Sequence, residues 1–255
     1  MSKSDYTWQN RHLLQSNIEI NPHFPYDIRF YILLKSKPNS TYMINLLFQG
    51  QVELFILILI AIIISLSFHE FGHAWTAKKF GDNTAERMGR LTLNPIAHID
   101  PMGLLMVATI GFGYAKPVPT NPRNFNSYYA SAWISAAGPG MNLLLAFIAI
   151  NLIALAQIMQ WDYLLQEGPI RFLSYMTFIN LLLMLFNLLP IGPLDGHYIL
   201  PYFLSKRTAY KYNQLNAQYG NLALLSLLLL SFLGVPIFST LMNFASQLAQ
   251  YLIVF

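Results

Sequence analysis

The sequence contains no cysteine in 255 residues. That excludes disulfides and thiolate metal sites, and leaves His, Asp and Glu as the strong metal ligands. Charge is also scarce. Asp, Glu, Lys and Arg together make up 10% of the chain, against about 25% in an ordinary soluble domain. Apolar residues make up 55%, and the mean hydropathy is +0.43. This balance excludes a soluble globular domain and points to a polytopic protein of the lipid bilayer. The net charge of +4 is small, and its distribution gives no support to nucleic-acid binding. Residues 1–42 lack a basic start followed by an apolar core and a small-residue cleavage site, so no cleavable leader is expected there. No internal repeat is apparent, which withdraws support from a transporter built of inverted halves.

What is present is a series of apolar runs. The first span is expected over about 52–80, where LFILILIAIIISL leads into HEFGHAWTAKKF. A helix from Leu54 to Phe80 is roughly 40 Å long, more than the ~30 Å hydrocarbon core. Residues 81–101 are polar. Within them, Met88 to Pro95 is β-prone and suggests a short hairpin. Met102 to Phe112 is apolar but too short to span, and the Gly and Pro residues from Gly111 to Pro122 break it into a re-entrant loop. Further spans are expected at about 131–157, at Phe172 to Leu189 and at Leu222 to Val235. A fifth candidate, Ile237 to Phe255, is weakened by Gln247 and Gln250. Basic residues cluster at Lys78–Arg90 and Lys206–Lys211. By the positive-inside rule, spans one and three run toward the cytoplasm and span two runs back.

Chemistry enters at His69-Glu70-Phe71-Gly72-His73, an H-E-x-x-H pattern. Residues four apart lie on one helix face, so both imidazoles can reach one metal ion. Glu70 sits about 100° round the helix, placed to move a proton without ligating. Two imidazoles and a carboxylate suit zinc with an open position. Ionisable groups in a span are costly and mark function. A third ligand is needed. Asp195 lies at the cytoplasmic end of span three, level with His69, in a Pro/Gly-rich break. His98 and His197 are further candidates, each read as an interfacial histidine or one lying behind the ligands.

Taken together, His69-Glu70-x-x-His73, Ala137-Gly138-Pro139-Gly140-Met141-Asn142, and Asn187-Leu-Leu-Pro190 with Leu194-Asp195-Gly196 resemble the site-2 proteases. These are zinc intramembrane metalloproteases with a three-helix catalytic core. The resemblance runs from Leu54 to about Leu200. It implies that His69, His73 and Asp195 bind one Zn²⁺ per chain, that Glu70 activates water, and that Asn187 holds the substrate or its oxyanion. The NPIAHID and GYAKPVPTNP stretches are similar to the small bacterial branch, which lacks a soluble peptide-binding (PDZ) domain. An extension of 42 residues sets this chain apart, and the resemblance says little about spans four and five.

The expected fold is an all-α polytopic membrane protein. It comprises a three-helix core, one or two further transmembrane helices, and a short β-hairpin or re-entrant loop between spans one and two. Residues 1–42 form a polar, poorly ordered extension, 43–200 the intramembrane metalloprotease core, and 201–255 a polar loop with C-terminal helices. The expected function is zinc-dependent cleavage in or near a transmembrane helix of a substrate protein, either in regulated intramembrane proteolysis or in clearing signal-peptide remnants. The expected location is the bacterial inner membrane, with the active site toward the cytoplasm. A metal-ion transporter would need a polar path through several spans, which spans two, four and five do not offer. A non-catalytic scaffold with structural zinc would call for four protein ligands, and three good ones are found.

Overall fold

The computed structural model describes residues 43–254; the 1–42 extension lies outside them. Within this range helices are the regular secondary structure, with no strand among the described residues. The short helix α1 (Asn45–Phe48) leads into α2 (Val52–Lys79). No proline interrupts α2, and its last turn ends on Lys78 and Lys79, cations favoured where backbone carbonyls lack partners. At 28 residues it is about 42 Å long. Helices α6 (Ala130–Ile158) and α7 (Glu167–Asn187) complete the expected three-helix unit. With α9 (Lys206–Phe232), four described helices are long and apolar enough to cross a membrane. The all-α polytopic expectation holds.

Small residues let these helices approach closely. A Cβ on Gly72 of α2 would stand 2.7 Å from the Ala137 carbonyl oxygen of α6. On the other side of α6, Ala146 and Ile150 meet Leu181 and Met184 of α7 and Ala245 and Ala249 of α10 (Ile237–Tyr251). Helix α10 has 15 residues, or about 22 Å, short of a full ~30 Å crossing.

Two expectations are corrected. The β-hairpin at Met88–Pro95 does not form. Helices α3 (Thr84–Arg87) and α4 (Pro95–His98) flank a turn instead, because a two-stranded hairpin with no further strand to extend it is marginally stable at best. The polar stretch Ser205–Gly220 is not a loop before span four but the first half of α9. The Ser205 side chain accepts from Thr208 N–H and caps it, and nothing in the sequence stops the helix before its apolar half.

The re-entrant expectation fits the observed path. Helix α5 (Pro101–Ile110) is capped by Asp100, which accepts from Met102 and Gly103 N–H. Val107 packs with Met43 and Leu46 against Leu54, Phe55 and Ile58 of α2. The chain turns at Gly111 (φ +79°) and returns so closely that a Cβ on Gly103 would overlap the Tyr114 carbonyl. Beyond it, Asn121 N–H and the Asn124 amide donate to the buried Asp82 just past α2. Burial alone would raise the Asp82 pKa, but bonds from Thr84, Asn121 and Asn124 outweigh it and hold the carboxyl below its usual range.

Candidate metal centre

His69 and His73 sit in the last three turns of α2, where their faces coincide. Asp195 opens α8 (Asp195–Ile199), beyond the turn that ends α7. Gly196 follows so tightly that a Cβ there would overlap the Leu188 carbonyl, which folds α8 back against the end of α7. One ligand atom from each of His69, His73 and Asp195 lies within 4.8 Å of the others. The two Nε2 atoms are 3.0 Å apart. Asp195 Oδ2 is 3.2 Å from His69 Nε2, and Oδ1 is 3.4 Å from His73 Nε2. Nitrogen and oxygen ligands about 2.0–2.1 Å from zinc stand about 3.3 Å apart in a tetrahedron. The two Nε2 atoms and the Asp195 carboxylate are close enough to supply three such corners.

Hydrogen-bond direction supports the same conclusion. The Asn180 amide NH₂ donates to the Met176 carbonyl at 2.7 Å and to Ser65 Oγ at 2.8 Å, so its oxygen must face Asn142. The Asn142 NH₂ donates to that oxygen at 2.8 Å and to the Ser65 carbonyl at 3.2 Å. Asn142 Oδ1 therefore faces His69 Nδ1 at 2.6 Å, and that nitrogen must carry the proton. His73 Nδ1 likewise donates to the Ile134 carbonyl at 2.7 Å. In the neutral rings, both Nε2 lone pairs then point at each other, with a carboxylate beside them. Asp195 Oδ2 is buried without a hydrogen-bond donor. An arrangement of lone pairs and anionic oxygen is unfavourable by itself and fits a divalent cation. Gly138 of α6 floors the site: a Cβ there would overlap His73 Nε2 and stand 2.6 Å from His69 Nε2.

Glu70 is buried on the same helix. Its Oε2 accepts from Val118 N–H at 2.9 Å. Pro117 and Pro119 have no N–H, so this is the one backbone donor of that triplet. The segment is held further by Lys116 N–H donating to the His98 carbonyl and by Arg90 donating to the Lys116 carbonyl.

The other sequence candidates lie apart from this group. His98 is buried with Nε2 against the Thr92 carbonyl at 2.8 Å. His197 Nδ1 meets the Tyr212 hydroxyl at 3.2 Å. Asn187 ends α7 with its NH₂ donating to the Leu183 carbonyl at 2.9 Å, which leaves its second amide hydrogen for another acceptor.

Sequence reasoning named Asn142 only as part of a motif and passed over Ser65 and Asn180. All three are fully buried. The available signal was an amide within an apolar span, which needs a partner inside the protein. Asn180→Leu removes the group that orients Asn142. Zinc affinity is expected to fall about 10–100-fold, the usual effect of losing a group that orients a ligand, as read by chelator competition on folded protein.

Comparison with known proteins identifies the family. Residues 57–160 and 151–231 match Peptidase family M50, well over half of the chain. The chain belongs to peptidase family M50. Relatives at the sequence level include the provisionally named zinc metalloprotease YwhC of Bacillus subtilis, 45% identical over 56% of this chain and 67% of that protein. The provisionally named zinc metalloprotease Rip2 of Mycolicibacterium smegmatis is 36% identical over 62% of this chain and 61% of its own length. The zinc metalloprotease MJ0392 of Methanocaldococcus jannaschii is 29% identical over 74% of this chain and 46% of its own length. Among solved structures, none matches. The resemblance to site-2 proteases is thereby shown. The chain is a multi-pass membrane M50 metallopeptidase, and zinc is the ion for which these three relatives are named.

Proposed function

We propose that this M50 member hydrolyses a peptide bond in or near a transmembrane helix of another protein, with His69, His73 and Asp195 holding one zinc ion. The observation that carries the reading is the convergence of Asp195 from α8 on His69 and His73 of a helix of membrane-spanning length, with Glu70 on the adjacent face of that helix. Zinc, when bound, supplies a Lewis acid and lowers the pKa of water. Glu70 has one oxygen occupied by Val118 N–H, which leaves Oε1 to take a proton from the attacking water and return it to the leaving amine. Gly138 closes the histidine side, where His69 and Asn142 are buried from solvent. The catalytic unit of this reading is residues 43–200. The resemblance to the small bacterial branch favours a bacterial inner membrane setting, and the clustering of basic residues at Lys78–Arg90 and Lys206–Lys211 favours a site toward the cytoplasm. Clipping of a membrane-bound regulator and clearing of signal-peptide remnants both fit this chemistry.

The test is cleavage of a single-span substrate by the full chain in lipid vesicles. Cleavage is expected to stop on chelation and return with zinc. Asp195→Ala is expected to lose both zinc and activity. Helix-breaking residues near the cut are expected to raise the rate, since a helical peptide bond is shielded by its own hydrogen bonds. Chelator-resistant cleavage, or undiminished zinc in Asp195→Ala, would overturn the assignment.

Asn187 is proposed as the donor to the developing oxyanion. Asn187→Ala is expected to keep zinc and fold while turnover drops roughly 10²–10³-fold, the scale of one such donor. Were its role limited to the bond to Leu183, thermal stability would fall while turnover of the folded fraction survived.

A further inference from the structure

Helix α9 is almost bare: only 6% of its most apolar 18-residue window is buried, and Gly220 is its one buried residue. Its hydrogen-bonded contacts with the rest of the chain lie along its polar half. Tyr212, Asn216 and Gly220 recur at intervals of four and so form one stripe along the helix. That stripe lies on the loop joining α7 to Asp195. Asn216 accepts from Gly192 N–H at 2.9 Å and donates its NH₂ to the Gly192 carbonyl at 3.0 Å. Both backbone groups of one residue are thus satisfied by one amide. The Tyr212 hydroxyl donates to the Pro190 carbonyl at 2.8 Å. Its oxygen meets His197 Nδ1, two residues past Asp195, at 3.2 Å. Gly192 has φ +60°, and a Cβ added to Gly220 would stand 3.0 Å from Gly192 Cα. Helix and loop therefore touch backbone to backbone.

The loop needs such an anchor. Between Leu188 and Asp195 the chain leaves one helix and starts another, so its backbone groups lack regular partners. Pro190 and Pro193 supply no N–H. Asp195 must nonetheless be held within tenths of an ångström of the two histidines, which stand on a different, rigid helix. Bonds on both sides of Asp195, at Pro190 and Gly192 before it and at His197 after it, converge on two side chains of α9.

We infer that Asn216 and Tyr212 are positioning residues for the metal centre, clamping the loop that presents Asp195 so that the third ligand is in place only while α9 is docked. This rests on the reading of Asp195 as a ligand. It assigns α9 a part in building the site, although no residue of α9 belongs to the His69–His73–Asp195 group.

The experiment uses the full chain in detergent at fixed pH, with zinc Kd measured by chelator competition and the visible spectrum recorded after Co²⁺ loading. Asn216→Asp keeps the size and one acceptor but sets a second oxygen against the Gly192 carbonyl. Tyr212→Phe removes only the hydroxyl. Zinc Kd is expected to rise about 10–100-fold in Asn216→Asp, and less in Tyr212→Phe. Both should show altered Co²⁺ bands, which loss of stability alone would not produce in folded protein. Gln218→Ala, on the same helix but off the stripe, should match the parent. Parental Kd and Co²⁺ spectrum in Asn216→Asp and Tyr212→Phe, with zinc lost in Asp195→Ala, would overturn the clamp and leave the ligand assignment standing. Undiminished zinc in Asp195→Ala would overturn both. If Asn216→Asp does not fold, Tyr212→Phe decides by the same criteria.

Discussion

Glu70→Gln is expected to abolish peptide cleavage while zinc stays bound. The substitution keeps the shape of the side chain and an oxygen to accept from Val118 N–H. It removes only the ability to take up and return a proton. General acid–base groups contribute about 10²–10⁴-fold to rate, and a single residue serving both proton transfers belongs at the upper end. Zinc content by elemental analysis separates this outcome from metal loss, and melting temperature separates it from misfolding. Full activity of Glu70→Gln in metal-replete protein would remove Glu70 from the chemistry and sink the protease reading.

Gly138→Ala is expected to destroy the metal site in a protein that still folds. Two effects oppose each other here. Ala is favoured over Gly within a helix by about 1 kcal/mol, and Gly138 lies inside α6. The added Cβ, however, would overlap His73 Nε2 and come within 2.6 Å of His69 Nε2. Neither imidazole can retreat cheaply, since His69 Nδ1 is held by Asn142 and His73 Nδ1 by the Ile134 carbonyl. The steric term wins locally, and zinc affinity should fall by at least the ~10–100-fold seen on disturbing a group behind the ligands. Gly140→Ala is the control. Nothing lies within 4 Å of its added Cβ, so helix propensity acts alone and zinc binding should be unchanged. Zinc retained in Gly138→Ala would mean that the histidines do not face α6.

The sequence carried what depends on local order and composition. Apolar content and the scarcity of charge determined the membrane and the helical class, because lipid permits few ways to satisfy a backbone. The four-residue spacing of His69 and His73 determined a shared face, since helical period is local. Composition was less informative at α9. Hydropathy marks where a helix meets lipid, not where it begins, and so the polar turns from Lys206 to Gly220 read as a loop. The β-prone Met88–Pro95 stretch failed for the converse reason, since a strand needs a partner that only the fold supplies.

Tertiary structure decided everything that depends on residues far apart in the chain. It brought Asp195 to the two histidines. It set Gly138 beneath them and joined Ser65, Asn142 and Asn180 across three helices into a chain that fixes one imidazole proton. It gave the Val118 N–H to Glu70 and the Gly192 backbone to Asn216. Periodicity places a side chain on a face of its own helix, but which partner meets that face depends on how the helices pack. In a membrane that packing rests on close contact and on pairing of buried polar groups rather than on expelling water.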